Sequence, residues 1–222
     1  ESLKRLGLDR IDILHLHDPD DYFDDSKNGG LKAMIKLKDQ GAIRAIGCGM
    51  NQNEMLYEYA KEGCFDCFLL AGRYTLIDQT SLDKLIPICE KNNISLLLGG
   101  VFNSGILIEP SPNSYFDYSK LDKDWLNSAL KNKVRTPKSF ESADYWLNKA
   151  YKVKDACEKF NIQLKQAAVQ FSYTHSIVSS SILGMTSPEQ VKDNINLYKN
   201  KIDKEFWKYL KDNSLVSNNI SI

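Results

Sequence analysis

Five short apolar runs constrain the fold of this 222-residue chain more than any other feature. Each is followed by a polar or glycine-rich break and then by a segment of helical period. The runs are 11–17, 43–48, 65–71, 94–98 and 177–183; helices are expected over 31–40, 55–62, 82–91, 145–160 and 164–173, with two more opening at Pro188 and Lys204. Strands alternating with helices predict a parallel sheet, because parallel neighbours need a long crossover. An open doubly wound sheet and a (β/α)8 barrel both fit that rhythm. The polar and glycine-rich residues after every strand favour the barrel, with its site on the βα loops.

The first run, Ile11 to Pro19 (IDILHLHDP), carries the most chemistry. Strand side chains alternate, so Ile11, Ile13, His15 and His17 share a face. Pro19 cannot continue a central ladder, which leaves His17 at the carboxyl end of the strand. Elsewhere the expectations are local. Glu1 to Gly7 reads as the end of a helix with no cap before it, so the chain is expected to begin inside a larger fold. Asp20 to Gly30 reads as a solvated acidic loop, and Asn51 as an N-cap with Glu54 three residues on. Pro87 predicts a kink or an early break, the serine run in 177–183 is weak evidence for a strand, and the tail from Ser214 is expected to fray.

Lysine plus arginine is 29 and aspartate plus glutamate is 29. That balance predicts no attraction to nucleic acid or to an anionic membrane, and no apolar run has the length of a membrane span. The five cysteines are odd in number and irregularly spaced, which fits reduced thiols and a cytoplasmic location. Cys64 and Cys67 form a C-x-x-C, but the second leads into a strand. The pair therefore reads as two ordinary thiols, not as a redox motif opening a helix.

Several stretches together resemble the aldo-keto reductase family. IDILHLHDP is similar to the family's fourth strand, Ile43-Arg44-Ala45-Ile46-Gly47 to its fifth, and Tyr74-Thr75-Leu76-Ile77 to the segment after its sixth. Asn103-Ser104-Gly105-Ile106-Leu107 resembles the loop after the seventh, and Pro188 to Ile195 (PEQVKDNI) the eighth helix. The wording GCGMNQ, FLLAGRYTLIDQ and GGVFNSGIL is most similar to the aldose and pyridoxal dehydrogenase branch. The resemblance implies an α/β fold: a partial (β/α)8 TIM barrel of the last five βα units, strands 4–8, plus a C-terminal helix. Residues 1–222 are then the C-terminal portion of one barrel domain, with 110–144 a long loop after strand 7.

The implied activity is NAD(P)-dependent hydride transfer between a nicotinamide and a sugar-like alcohol, lactol or aldehyde. The family works with an aspartate, a tyrosine, a lysine and a histidine, and His17 takes the position of the histidine, which orients the substrate oxygen. The other three belong to strands before this chain, so the chain alone is expected to lack proton transfer. Asn51 and Tyr74 are implied at the nicotinamide, Phe102, Ser104 and Gly105 at the pyrophosphate, and Gln190, Asp193 and Asn194 near the adenosine. Gly184 and Gln190 stand where basic groups grip a 2′-phosphate, so NAD is favoured over NADP.

Other readings of these residues stay open. Arg73 and Tyr74 fit either a cofactor pocket or a buried ion pair with a carboxylate. Ser104 fits a turn residue touching phosphate, and His15 a packing residue of the barrel interior. Tyr115, Tyr118 and Trp125 fit a substrate wall or a surface aromatic cluster, and a short helix is expected near Trp125 to Leu130. A catalytically inactive remnant is the alternative function. More remote is a metal-dependent barrel hydrolase using His15 and His17, for which His175 is the only further histidine. Five of eight strands leave two unpaired edges, which predicts a marginally stable, aggregation-prone chain.

Overall fold

A computed structural model describes residues 1–111 and 143–220. Its centre is a five-stranded parallel sheet: β1 (Ile11–His17), β2 (Ile43–Met50), β3 (Cys67–Ala71), β4 (Ser95–Gly99) and β5 (Val178–Ser181). The spatial order is β1-β2-β3-β4-β5, so each strand pairs with its neighbour in sequence. An open doubly wound sheet reverses direction at a switch point; this one only advances, as a barrel does.

The helices are α1 (Ser2–Leu6), α2 (Lys32–Asp39), α3 (Asn53–Ala60), α4 (Leu85–Lys91), α5 (Ala143–Lys159), α6 (Leu164–Phe171), α7 (Pro188–Lys199) and α8 (Lys204–Asp212). One face of the sheet belongs to the helices. Ile46, Cys48, Met50, Phe68, Leu70, Leu96, Leu98 and Val178 point there and are buried. The register puts Ile13, His15, His17, Ala45, Leu69, Ala71, Leu97, Gly99 and Ser180 on the opposite face, and all of these are partly or fully exposed. In a closed barrel that second face is the packed interior.

Several local expectations are corrected by tertiary contacts. Residues 20–30 are not a loop: a 3-10 turn (Asp20–Tyr22), a helical turn (Phe23–Asp25) and a π-helical stretch (Ser26–Leu31) run straight into α2. Phe23 packs on Tyr59 at 4.8 Å between ring centroids, and the Ser26 hydroxyl hydrogen-bonds the Tyr59 hydroxyl. Gly30 lies close to β1, where a Cβ would stand 3.1 Å from the end of the Leu16 side chain. Asn51 does not cap α3; that position falls to Gln52, in extended backbone, with no side-chain cap bond. Pro87 is the third residue of α4, in the first turn, where no intrahelical acceptor is lost and no kink is required.

The serine run does pair. Ser180 and Ser181 stand opposite Leu97 and Leu98, and the Ser181 hydroxyl donates to that of Ser172 at 2.7 Å. The tail docks instead of fraying: Val216 and Ile220 are buried, the Ser217 amide donates to Gln79, and Lys211 donates to the Ile220 carbonyl. A chain of rings from Phe160 through Phe206 and Trp207 to Phe171 and Tyr74 fixes α8 over α5 and α6. The expected loop 110–144, with Tyr115, Tyr118 and Trp125, falls almost entirely outside the described residues.

Candidate active site

All five strands run the same way, so their carboxyl ends form one edge. His17 stands opposite Gly49, Gly49 opposite Leu69, Leu69 opposite Leu97, and Ala71 opposite Gly99. The segments beyond them carry Asn51, Arg73, Phe102 to Gly105, and Ile182 to Gln190. Parallel pairing alone thus gathers residues far apart in sequence along one line.

His17 closes β1 with a side chain 87% exposed, its Nε2 3.5 Å from the Asp18 carboxylate. Asp18 takes a left-handed φ of 43°, and its amide still donates to the Gly49 carbonyl at 3.0 Å. The ladder therefore runs one residue past the strand and holds the base of the imidazole against β2. His15 lies two residues deeper on the same face. A Cβ on Gly47 would sit 2.5 Å from the His15 ring, so the glycine makes room for it. Burial lowers the His15 pKa, and its Nδ1 has no hydrogen-bond partner. A neutral, packed imidazole fits an interior role.

The segment after β4 turns tightly. Asn103, Ser104 and Gly105 take positive φ values of 44°, 53° and 99°. The Asn103 amide donates to Gly100, and the Gly105 and Leu107 amides both donate to the Phe102 carbonyl. Asn103 is buried and donates through its side chain to the Gly72 carbonyl, which ties the turn to the end of β3. Ser104 is left exposed at the tip, with Phe102 and Gly105 half-buried beside it.

Beyond β5, α7 opens at Pro188 with Ser187 accepting from the Gln190 amide. The Gln190 side-chain oxygen accepts from the Thr186 amide at 2.7 Å. Asp193 is exposed and 3.5 Å from Lys165, and Asn194 is half-buried. A Cβ on Gly184 would meet nothing within 4 Å.

Tyr74 is corrected. It is 1% exposed, stacks at 5.2 Å on Phe171 and donates its hydroxyl to Thr174, and burial pushes its pKa up to about 12. Its ring and hydroxyl are thus packed in the core, against Phe171 and Thr174. Arg73 meets the other expectation, a buried ion pair, with Asp78 at 3.0 Å. Reading the sequence did not single out that partner; the signal it offered was a carboxylate five residues on.

His175 sits before β5, against Tyr74 and 3.8 Å from Glu90, and so at the opposite edge from His17. That separation leaves His15 and His17 without His175 as a third ligand, and among the described residues no group of three or more His, Cys, Asp or Glu could hold a metal ion. The thiols are all free, and burial raises Cys67 to about 11 and Cys48, Cys89 and Cys157 to about 12. Thiols so protonated are poor nucleophiles.

A parallel sheet that only advances, with its polar residues at the carboxyl edge, defines part of an α/β barrel of the enzyme type. The chain belongs to the aldo/keto reductase family, a family of oxidoreductases, whose model matches residues 1–214. It is 32% identical to pyridoxal 4-dehydrogenase of Microbacterium luteolum and 29% identical to D-threo-aldose 1-dehydrogenase of a Pseudomonas species. These alignments cover 98% and 97% of this chain but 60% of each relative. An aldo-keto reductase structure from Bacillus halodurans (holo form) superposes with a TM-score of 0.71 at 20% identity, covering 99% of this chain and 65% of the other. The chain thus spans about 60% of the length of the curated relatives it matches.

Proposed function

We propose that this chain supplies the histidine and the coenzyme-docking loops of an NAD(P)-dependent oxidoreductase acting on a sugar-like alcohol, lactol or aldehyde. The observation that carries the reading is an exposed His17 on the same sheet edge as the left-handed turn at 103–105, in a chain of this family. The fit is supported by the residues themselves. Gly49 and Gly99 leave the strand ends bare, and Ser104 tips a turn whose backbone is already bent. A nicotinamide coenzyme, when bound, would supply or accept the hydride. His17 hydrogen-bonds the substrate oxygen and orients it as its bond to carbon changes order. Phe102, Ser104 and Gly105 hold the pyrophosphate, Asn51 the carboxamide, and Asp193 and Asn194 the adenosine ribose.

NAD is favoured. Gly184 carries no side chain, and Gln190 is neutral and engaged by Thr186, so neither position offers a charge to a 2′-phosphate. Titrating the chain with each reduced coenzyme checks this through energy transfer from tryptophan to the nicotinamide. NADH is expected to saturate, with NADPH about tenfold weaker, the equivalent of one lost charge-assisted contact. Equal affinities would remove the preference, and binding of neither would remove the reading. A second reading, coenzyme binding without turnover, is favoured by the 60% coverage of the relatives. It predicts saturation by NADH with no oxidation of aldose or pyridoxal by the chain alone.

A further inference from the structure

The segment that carries Asn51 has no side-chain cap of its own, yet it is tied down from below at two points. The Arg73 Nε–H donates to the Asn51 carbonyl at 3.0 Å. The Arg73 guanidinium also donates to one oxygen of Asp78, with the two side chains only 6% and 3% exposed. The other Asp78 oxygen accepts from the amide and the hydroxyl of Thr80, at 3.0 and 2.7 Å. Thr80 in turn accepts from the Asn53 side chain at 2.9 Å. The loop after β3 therefore grips the loop after β2 on either side of Gln52, at 51 and at 53.

A buried ion pair is a weak way to stabilise a fold, since apolar residues of similar volume do as well or better. What it supplies is direction: a planar guanidinium fixes two acceptors at once. From this geometry we infer that Arg73, held by Asp78, is a positioning residue that sets where Asn51 stands for the nicotinamide carboxamide. The inference rests on the coenzyme reading above. Arg73 touches no coenzyme itself; it acts through the Asn51 backbone.

The test compares NADH with ADP-ribose, which lacks the nicotinamide, on the unaltered chain and two variants. R73M/D78L removes the clamp without leaving a buried charge. R73K keeps a cation for Asp78 but carries all its donors on one nitrogen, which cannot stand both beside Asp78 and where the Arg73 Nε reaches the Asn51 carbonyl. In both variants, ADP-ribose affinity is expected to stay within about twofold, while NADH weakens about tenfold, the loss of one well-placed hydrogen bond. If the clamp only held the fold, R73K would behave as the unaltered chain toward both ligands, and that result would overturn the inference. If R73M/D78L fails to fold, R73K alone decides. Binding of neither ligand to the unaltered chain would instead sink the coenzyme reading, and the clamp's role with it.

Discussion

Replacing Asp78 with alanine is expected to destabilise the fold by about 3–5 kcal/mol, and R73M/D78L by clearly less. The contrast follows from burial. Arg73 and Asp78 are 6% and 3% exposed, so solvent screens neither charge. Removing the carboxylate alone leaves a guanidinium in the interior with its main counter-charge gone. It also strips the Thr80 amide and hydroxyl of their acceptor. Removing both charges and filling the space takes away the pair together with the cost of burying it, so the double variant shares the loss at Thr80 but leaves no buried charge without its partner. Denaturant unfolding of the two variants measures the difference through the midpoint at constant slope. Similar midpoints for D78A and the unaltered chain would show that the pair is hydrated in solution.

The second large effect concerns His17. Joined to the portion of D-threo-aldose 1-dehydrogenase that the match leaves uncovered, the chain is expected to oxidise aldoses with NAD. In that hybrid, His17→Ala is expected to lower kcat by about 10²- to 10⁴-fold, the usual worth of a positioned proton-bearing side chain. The KM for NAD should hold, because no coenzyme contact is assigned to the imidazole. The Asp18 carboxylate at 3.5 Å adds little, since both groups are mostly exposed and such pairs are weak. A kcat within a few-fold of the parent hybrid would remove His17 from the chemistry.

The strands were legible because each buried run is apolar and bounded by glycine or proline, and their parallel order follows from the helices between them. β5 was least legible: its serines pair because Leu97, Leu98 and the Ser172 hydroxyl receive them, not because of propensity. Residues 20–30 misled for the opposite reason. Their composition is polar, but Phe23 and Ser26 dock on Tyr59, a partner more than thirty residues away. The tail misled in the same way, as Val216 and Ile220 reach a core that no local pattern announces.

The candidate site was legible where the chemistry is local. A histidine before a proline at a strand end needs no tertiary partner to be recognised, nor does a turn rich in Asn, Ser and Gly. Tyr74 was not legible, because an aromatic residue just past a strand can turn toward the mouth or toward the core. Gly72, at φ 70°, precedes the turn that carries it inward onto Phe171. Asp78 was invisible for a related reason: its role is set by Arg73, Thr80 and Asn53, which only the folded chain brings together.

The most direct test maps where the coenzyme sits, by following backbone amide resonances as NADH is added to the isotopically labelled chain. Shifts are expected at Gly49, Asn51, Gly99, Ser104, Gly105 and Asn194, along the carboxyl edge of the sheet. Glu90, Asn93 and Ser176, at the opposite edge, should stay still. Shifts gathered at that opposite edge, or no saturable shifts at all, would contradict the account.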